Sequence, residues 1–193
     1  MKYFLDFGGH NSCSSRIFRK LYDPKSEYHI YSFEIEPSFL KYYSNLRNHT
    51  LINKAVWIED GVMDFHLDTE IRKAGGSLIK KVGKHRHKES IQVETIDICK
   101  WIKETFSKDD TIWLKVDVEG SEYEVVPKMI EEGIFDYIDK LFLEWHWYKI
   151  GMTLEEHNII AAMIPMSINA WYGIEQAVNI LGKDYLRKEK ENV

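Results

Sequence analysis

The chain has 193 residues, with 26 lysines and arginines against 31 aspartates and glutamates, and a formal charge of −5. Its 44% hydrophobic and 13% aromatic content supplies a sizeable core and excludes disorder, while the acid surplus argues against a nucleic-acid partner. No apolar run reaches the roughly 18 residues of a membrane span, and Cys13 and Cys99 form no zinc pattern, so they are read as reduced thiols of a cytoplasmic protein.

Roughly 100–200 residues make one domain, which predicts a single domain over 1–193. No repeat, low-complexity tract or Pro/Gly/Ser linker divides it. Asp6 interrupts the apolar start of MKYFLDFGGHN, so no signal peptide is expected.

Tyr3 to Phe7 is apolar, stops at Gly8-Gly9 and predicts a buried strand. Ser12 to Leu21 predicts a helix and Tyr28 to Phe33 a second strand. Pro37 suits the first turn of a helix running to Leu46. Leu51 to Trp57 and Gly61 to Leu67 read as two strands of a hairpin turning at Glu59-Asp60-Gly61. Ala74 to Lys88 is rich in Gly, Lys and His and reads as a mobile loop, its basic run Lys80 to Lys88 solvated. Ile91 to Thr95 alternates as a strand, and Asp97 to Phe106 follows as a helix. Thr111 to Val116 is a strand, Glu122 to Ile130 a helix, and Lys140 to Trp145 a further strand. Thr153-Leu154-Glu155-Glu156 fits a capping box. Ala170 to Leu181 reads as a last helix, closed by Gly182. This alternation predicts an α/β fold, a mostly parallel sheet with helices on both faces. Ligands of such sheets bind beyond the carboxyl ends of the strands.

Four strand ends carry chemistry. Asp6-Phe7-Gly8-Gly9-His10-Asn11 follows the first strand, and its glycines let backbone approach a ligand. It is neither GxGxxG nor a P-loop. Phe33-Glu34-Ile35-Glu36-Pro37 ends the second strand, 26 positions beyond Gly8. A carboxylate there can accept both hydroxyls of a ribose. Glu36 also suits the start of a helix. Lys115-Val116-Asp117-Val118-Glu119-Gly120-Ser121-Glu122 ends a buried strand in three acids, whose repulsion something must offset. A cationic ligand, a metal, Lys115 or the following helix would each do so. Glu144 and His146 end the last clear strand, two apart and so on one side of it, as a base with its orienting group or as metal ligands. Trp145, Trp147 and Tyr148 beside them suit a sugar face or ordinary packing.

Taken in order, these segments resemble the FkbM-type methyltransferases, S-adenosylmethionine-dependent O-methyltransferases with a Rossmann-like class I fold. The resemblance runs through Leu5 to Asn11, Phe33 to Pro37, Asn53 to Val56, Val93 to Asp97, Leu114 to Glu122 and Leu143 to His146. It covers residues 3–148, with a helical tail over 153–190. Ser12 stands where many members have a third glycine, and Ile35 replaces a proline of the second motif. No clear strand pair follows His146, so the last two strands of the sheet are expected to be short or absent.

The resemblance implies S-adenosyl-L-methionine as cofactor. Asp6, Gly8, Gly9, His10 and Asn11 would hold its amino-acid end, and Glu34, or else Glu36, the ribose. Ala55, Val56 and Trp57 would lie near adenine and Asp117 beside the sulfonium. The catalytic base is sought among Asp117, Glu119, Glu144 and His146. His146 has the best-placed unperturbed pKa. A divalent metal on Asp117 and Glu119 is less favoured, because hard metals need more oxygen ligands. The expected acceptor is a sugar or glycan hydroxyl. A metal-dependent hydrolase and a nucleotide-binding Rossmann-like module are the rival readings. With the first strand so near Met1, the chain reads as a near-minimal core. Acceptor recognition then falls to residues 59–91 and the tail, to a partner subunit or oligomer, or to an open site for a large glycan. Excision from a longer protein would also explain the length.

Overall fold

The structure is a computed structural model, and it describes residues 1–68, 75–85, 89–165 and 170–171. Its main sheet has β1 (Lys2–Phe7) at the centre. β2 (His29–Phe33) and β3 (His49–Ile52) lie on one side, and β7 (Thr111–Val116), β8 (Lys140–Leu143) and β9 (Ala170–Trp171) on the other. Every pairing in this sheet is parallel. A second, three-stranded sheet has β6 (Glu89–Asp97) between β4 (Ala55–Trp57) and β5 (Gly61–Leu67).

Period-two alternation divides the side chains between two layers. On one face Leu5, Phe7, Leu114 and Val116 are buried in the main core. Ile98 and Ile102 of α2 (Ile98–Thr105) and Val125 and Met129 of α3 (Glu122–Glu131) join them there. On the other face Phe4 stacks at 4.0 Å on Phe18 of α1 (Cys13–Leu21), beside Trp113 and Phe142. Helices thus cover both faces of a Rossmann-like sheet, as expected. The strand order reverses between β1 and β7, which opens a crevice at their carboxyl ends.

Several local expectations are corrected. Pro37 to Leu46 holds only a 3₁₀ turn, Leu40–Tyr43, rather than a full helix. Glu36 takes the Ser38 hydroxyl at 2.8 Å and so favours a local turn over helix entry. The run Leu51 to Trp57 breaks at Asn53-Lys54 into β3 and β4, which belong to different sheets. β4 and β5 are not a hairpin: β4 pairs parallel and β5 antiparallel with β6, which lies between them. The Glu59-Asp60 connection spans the end of β6, where Thr95 Oγ1 donates to Glu59 O at 2.9 Å and Asp97 N to Asp60 at 3.1 Å. Turn chemistry announced the reversal but not the intervening strand.

Residues 75–85 do not form a loose loop. Ser77 pairs with His66, Ser77 and Leu78 are buried, and Val82 N donates to Lys149 O at 2.9 Å. The predicted strand Lys140 to Trp145 ends at Leu143, and α4 (Trp147–Ile150) begins soon after. α5 (Leu154–Ala161) carries the expected capping box of Thr153 and Glu156. Ala170 and Trp171 form a two-residue strand beside β8, not the start of a helix. The remainder of that predicted helix lies outside the described residues. Among the described residues, no helix is long and apolar enough to cross a membrane.

Candidate functional site

A cleft of about 850 Å³ opens at the crevice between β1 and β7. Its walls come from the turns after β1, β2, β7 and β8 and from β4. Gly8, Gly9, His10, Asn11, Glu34, Glu36, Ala55, Val56, Asp117, Glu119 and Glu144 all line it. Of the other expected residues, Asp6, Trp57 and His146 are buried behind the walls and are not part of the lining.

The turn after β1 is tight for a steric reason. Gly8 has φ +80°, and a Cβ there would come within 1.9 Å of Asp117 O. The amides of Gly8 and Gly9 do not face a ligand: both donate to Phe33 O, at 3.2 and 3.0 Å. The glycines therefore serve strand packing. Ser12, at the position of the third glycine, takes a left-handed φ of +64° where glycine would be unstrained. Asn11 Oδ1 is buried at the cleft with no hydrogen-bond partner.

Glu34 locks two turns together. Its Oε2 accepts from His10 N at 2.6 Å, and its Oε1 from Ile35 N at 2.8 Å and Glu36 N at 2.7 Å. A carboxylate has about four acceptor sites, so roughly one remains for a ligand hydroxyl. Burial pushes the Glu34 pKa up to about 7 against the three amides. Glu36 turns to Ser38 instead, which separates the two acids that the sequence left as alternatives.

The acids after β7 are offset from within the protein. Lys115 Nζ donates to Gly8 O at 2.8 Å and lies 3.2 Å from both Asp6 Oδ1 and Asp117 Oδ2. Burial alone would lower its pKa, but Asp117 and Asp6 outweigh that and raise it. Glu119, at φ +57°, meets Lys81 and, at 2.7 Å, Lys149. Burial pushes its pKa up, but His146 and the two lysines prevail and hold it below the usual carboxylate range. Lys81, expected in a solvated basic run, has a side chain only 2% exposed. Glu122 is fully buried, accepting from Val118 N at 2.9 Å, Gly120 N at 2.8 Å and His146 Nδ1 at 2.9 Å.

His146 is surrounded by carboxylates. Its Nε2 lies 3.5 Å from Glu119, 3.7 Å from Glu144 and 3.9 Å from Asp117. Burial works to lower its pKa, but hydrogen bonds to Glu122 and Glu144 and the charges of Glu122 and Glu119 prevail and raise it to about 10. At neutral pH it is an imidazolium, and an imidazolium cannot take up a proton. The unperturbed value that favoured it as a base does not survive this environment. Glu144, about half exposed on the rim, has no lysine partner among the described residues. It is the least encumbered of the four candidate bases.

Donor atoms of Asp117, Glu122 and His146 lie within 4.8 Å of one another. Glu122 is spent on two amides and an imidazole, and Asp117 Oδ2 faces an ammonium, so the set suits a hard metal poorly. The neighbouring aromatics look away from the cleft. Trp145 packs at 4.9 Å from Tyr123, and Trp147 stacks on His157.

The charged His146 makes stability depend on pH. Its folded pKa lies above the unfolded value near 6.5, so its contribution is complete below about pH 6.5 and is lost as pH rises through about 10. Urea unfolding is expected to show stability falling by about 1.4 kcal/mol per pH unit within that window. His146→Gln should remove most of this slope. An unchanged slope would refute the assignment.

Sequence reasoning named Lys115 only as one of several ways to offset acid repulsion, named Glu122 only as one of three strand-end acids, and missed Lys81 and Lys149. The available signal was a lysine inside a buried strand, in the same phase as Trp113.

A family model described as Methyltransferase FkbM domain matches residues 6–164 of the chain. No curated protein and no solved structure matches it.

Proposed function

The chain belongs to the FkbM methyltransferase family, and on that premise we propose that it moves a methyl group from S-adenosylmethionine to a hydroxyl oxygen of a sugar or glycan. The observation that carries the cofactor is the placement of the cleft at the carboxyl ends of β1 and β7, with Glu34, Glu36, Asp117, Glu119 and Glu144 along its lining. Lys81, Lys115, Lys149 and the His146 imidazolium offset several of these acids, so the cleft offers a cationic ligand acceptor oxygens rather than a large free negative charge. The polar groups also fit: Asn11 Oδ1 is a buried acceptor awaiting a donor, and Glu34 retains an acceptor site for a ribose hydroxyl.

When bound, S-adenosylmethionine supplies an electrophilic methyl group for in-line displacement. Asn11 and Asp117 would hold the amino-acid end and the sulfonium side, and Glu34 the ribose. Ala55 and Val56, with Phe65 and Leu78, form an apolar wall for the base. Glu144 takes the acceptor proton on a carboxylate oxygen. His146 balances the surrounding acids. The sugar acceptor is an expectation from the family; the inward packing of Trp145 and Trp147 leaves a different origin for any sugar contacts.

A methyl-transfer screen against free sugars, nucleotide-linked sugars and glycans tests the reading. Turnover on at least one hydroxyl acceptor is expected. On that acceptor Glu144→Gln should lower kcat by about 10²–10⁴ with little change in cofactor affinity. Transfer only to nitrogen or carbon acceptors would refute the O-methylation, and full turnover in Glu144→Gln would refute the base.

A further inference from the structure

We propose that Lys115 is a positioning residue that sets Asp117 for the ligand from the floor of the cleft; this rests on the reading of the cleft as a sulfur-nucleoside site. Asp6 and Lys115 are register partners on adjacent central strands. They lie on the α1 face, which is otherwise built from Phe4, Phe18, Trp113 and Phe142. An ammonium buried among such groups is costly unless paired. Neutralising Asp6 alone would be a weak reason to keep it, since a buried pair is often replaced by apolar residues without loss.

The lysine does more than neutralise Asp6. It donates a hydrogen bond to one backbone carbonyl and forms ion pairs with two carboxylates, and each of the three belongs to a different part of the site. Gly8 O at 2.8 Å belongs to the turn after β1, Asp117 Oδ2 at 3.2 Å to the turn after β7, and Asp6 Oδ1 at 3.2 Å to the floor. Asp6 is itself clamped. Its Oδ2 accepts from Ser14 Oγ at 2.5 Å and Ser15 Oγ at 2.9 Å. Ser15 continues to Ser32 at 3.0 Å, and Ser32 to His49 Nε2 at 2.9 Å on β3. Burial lowers the His49 pKa to about 4, so this end of the chain of contacts is neutral. A buried polar network thus runs across four neighbouring strands and ends at Asp117. Oδ2 faces the ammonium, while Oδ1 of Asp117 lies 3.9 Å from His146 Nε2, beyond hydrogen-bond distance, and so is the oxygen that can accept from a ligand.

The test is a double-mutant cycle on affinity. Lys115→Met, Asp117→Asn and the pair are titrated calorimetrically with S-adenosylmethionine and S-adenosylhomocysteine. Lys115→Met is expected to weaken both ligands alike, by about tenfold, and to add little to Asp117→Asn. Breaking a buried ion pair endangers the fold. The cycle is therefore repeated in Asp6→Asn, where removing the lysine strands no buried partner charge; the same non-additivity is expected. Losses that add fully would overturn the proposal. So would tighter S-adenosylmethionine binding with S-adenosylhomocysteine unchanged, which is what mere removal of a nearby positive charge would give. If the unaltered chain binds neither nucleoside, the reading of the cleft falls, and this inference with it.

Discussion

Glu34→Ala is expected to abolish binding of S-adenosylhomocysteine, with a loss of at least about 100-fold. The carboxylate holds the amides of His10, Ile35 and Glu36 and so fixes the turns after β1 and β2 against each other. Its remaining acceptor site is also the proposed ribose contact. A hydrogen bond to a charged group contributes about 1.5–3 kcal/mol, and each 1.4 kcal/mol is about tenfold in affinity. Loss of the direct contact together with the loosened turns reaches 100-fold. The fold should survive, because the three released amides border the cleft and can be hydrated. Affinity should also weaken as pH falls through about 7, where the buried Glu34 takes up its proton. Calorimetry alongside circular dichroism separates the two effects. A folded Glu34→Ala variant with unaltered affinity would remove Glu34 from the site.

The largest effect on stability is expected at Glu122. Its side chain is fully buried, and its partners are two backbone amides and an imidazolium. Glu122→Ala leaves all three without their acceptor. Removing one partner of a buried charge pair costs about 3–5 kcal/mol. Urea unfolding near pH 7 should show a loss of that order, against total stabilities of about 5–15 kcal/mol for domains. Glu122→Gln, which keeps one acceptor oxygen, should lie between the two. A loss below about 1 kcal/mol in Glu122→Ala would mean that His146 and the 118–120 turn are held by other means.

Fold class was legible because hydrophobic period and turn residues are local signals. β1 and β7 lie close to where alternation places them, and α2 starts one residue after Asp97, where the sequence begins that helix. Pairing is not local, which is why β6 went unseen between β4 and β5 and why Leu51 to Trp57 read as one strand. The acids gathered at the cleft were legible as strand-end residues. Their roles were not, because a role depends on what else is buried nearby. His146 read as a base from its unperturbed pKa, but three carboxylates around Nε2 and a fourth on Nδ1 keep it protonated. Glycines that read as ligand-facing amides instead bond to Phe33 O. Asp6 read as a ligand contact, but lies beneath the cleft and acts on Lys115. Apart from Glu144, two positions before His146, each of these differences comes from a partner more than 20 positions away in the chain.

The central claim is that this acidic cleft binds the sulfur nucleoside of a methyl transferase. Calorimetric titration of the unaltered chain with S-adenosylhomocysteine tests it most directly. The account predicts one saturable site per chain, lost in Glu34→Ala. A folded chain that takes up neither S-adenosylhomocysteine nor S-adenosylmethionine would contradict it.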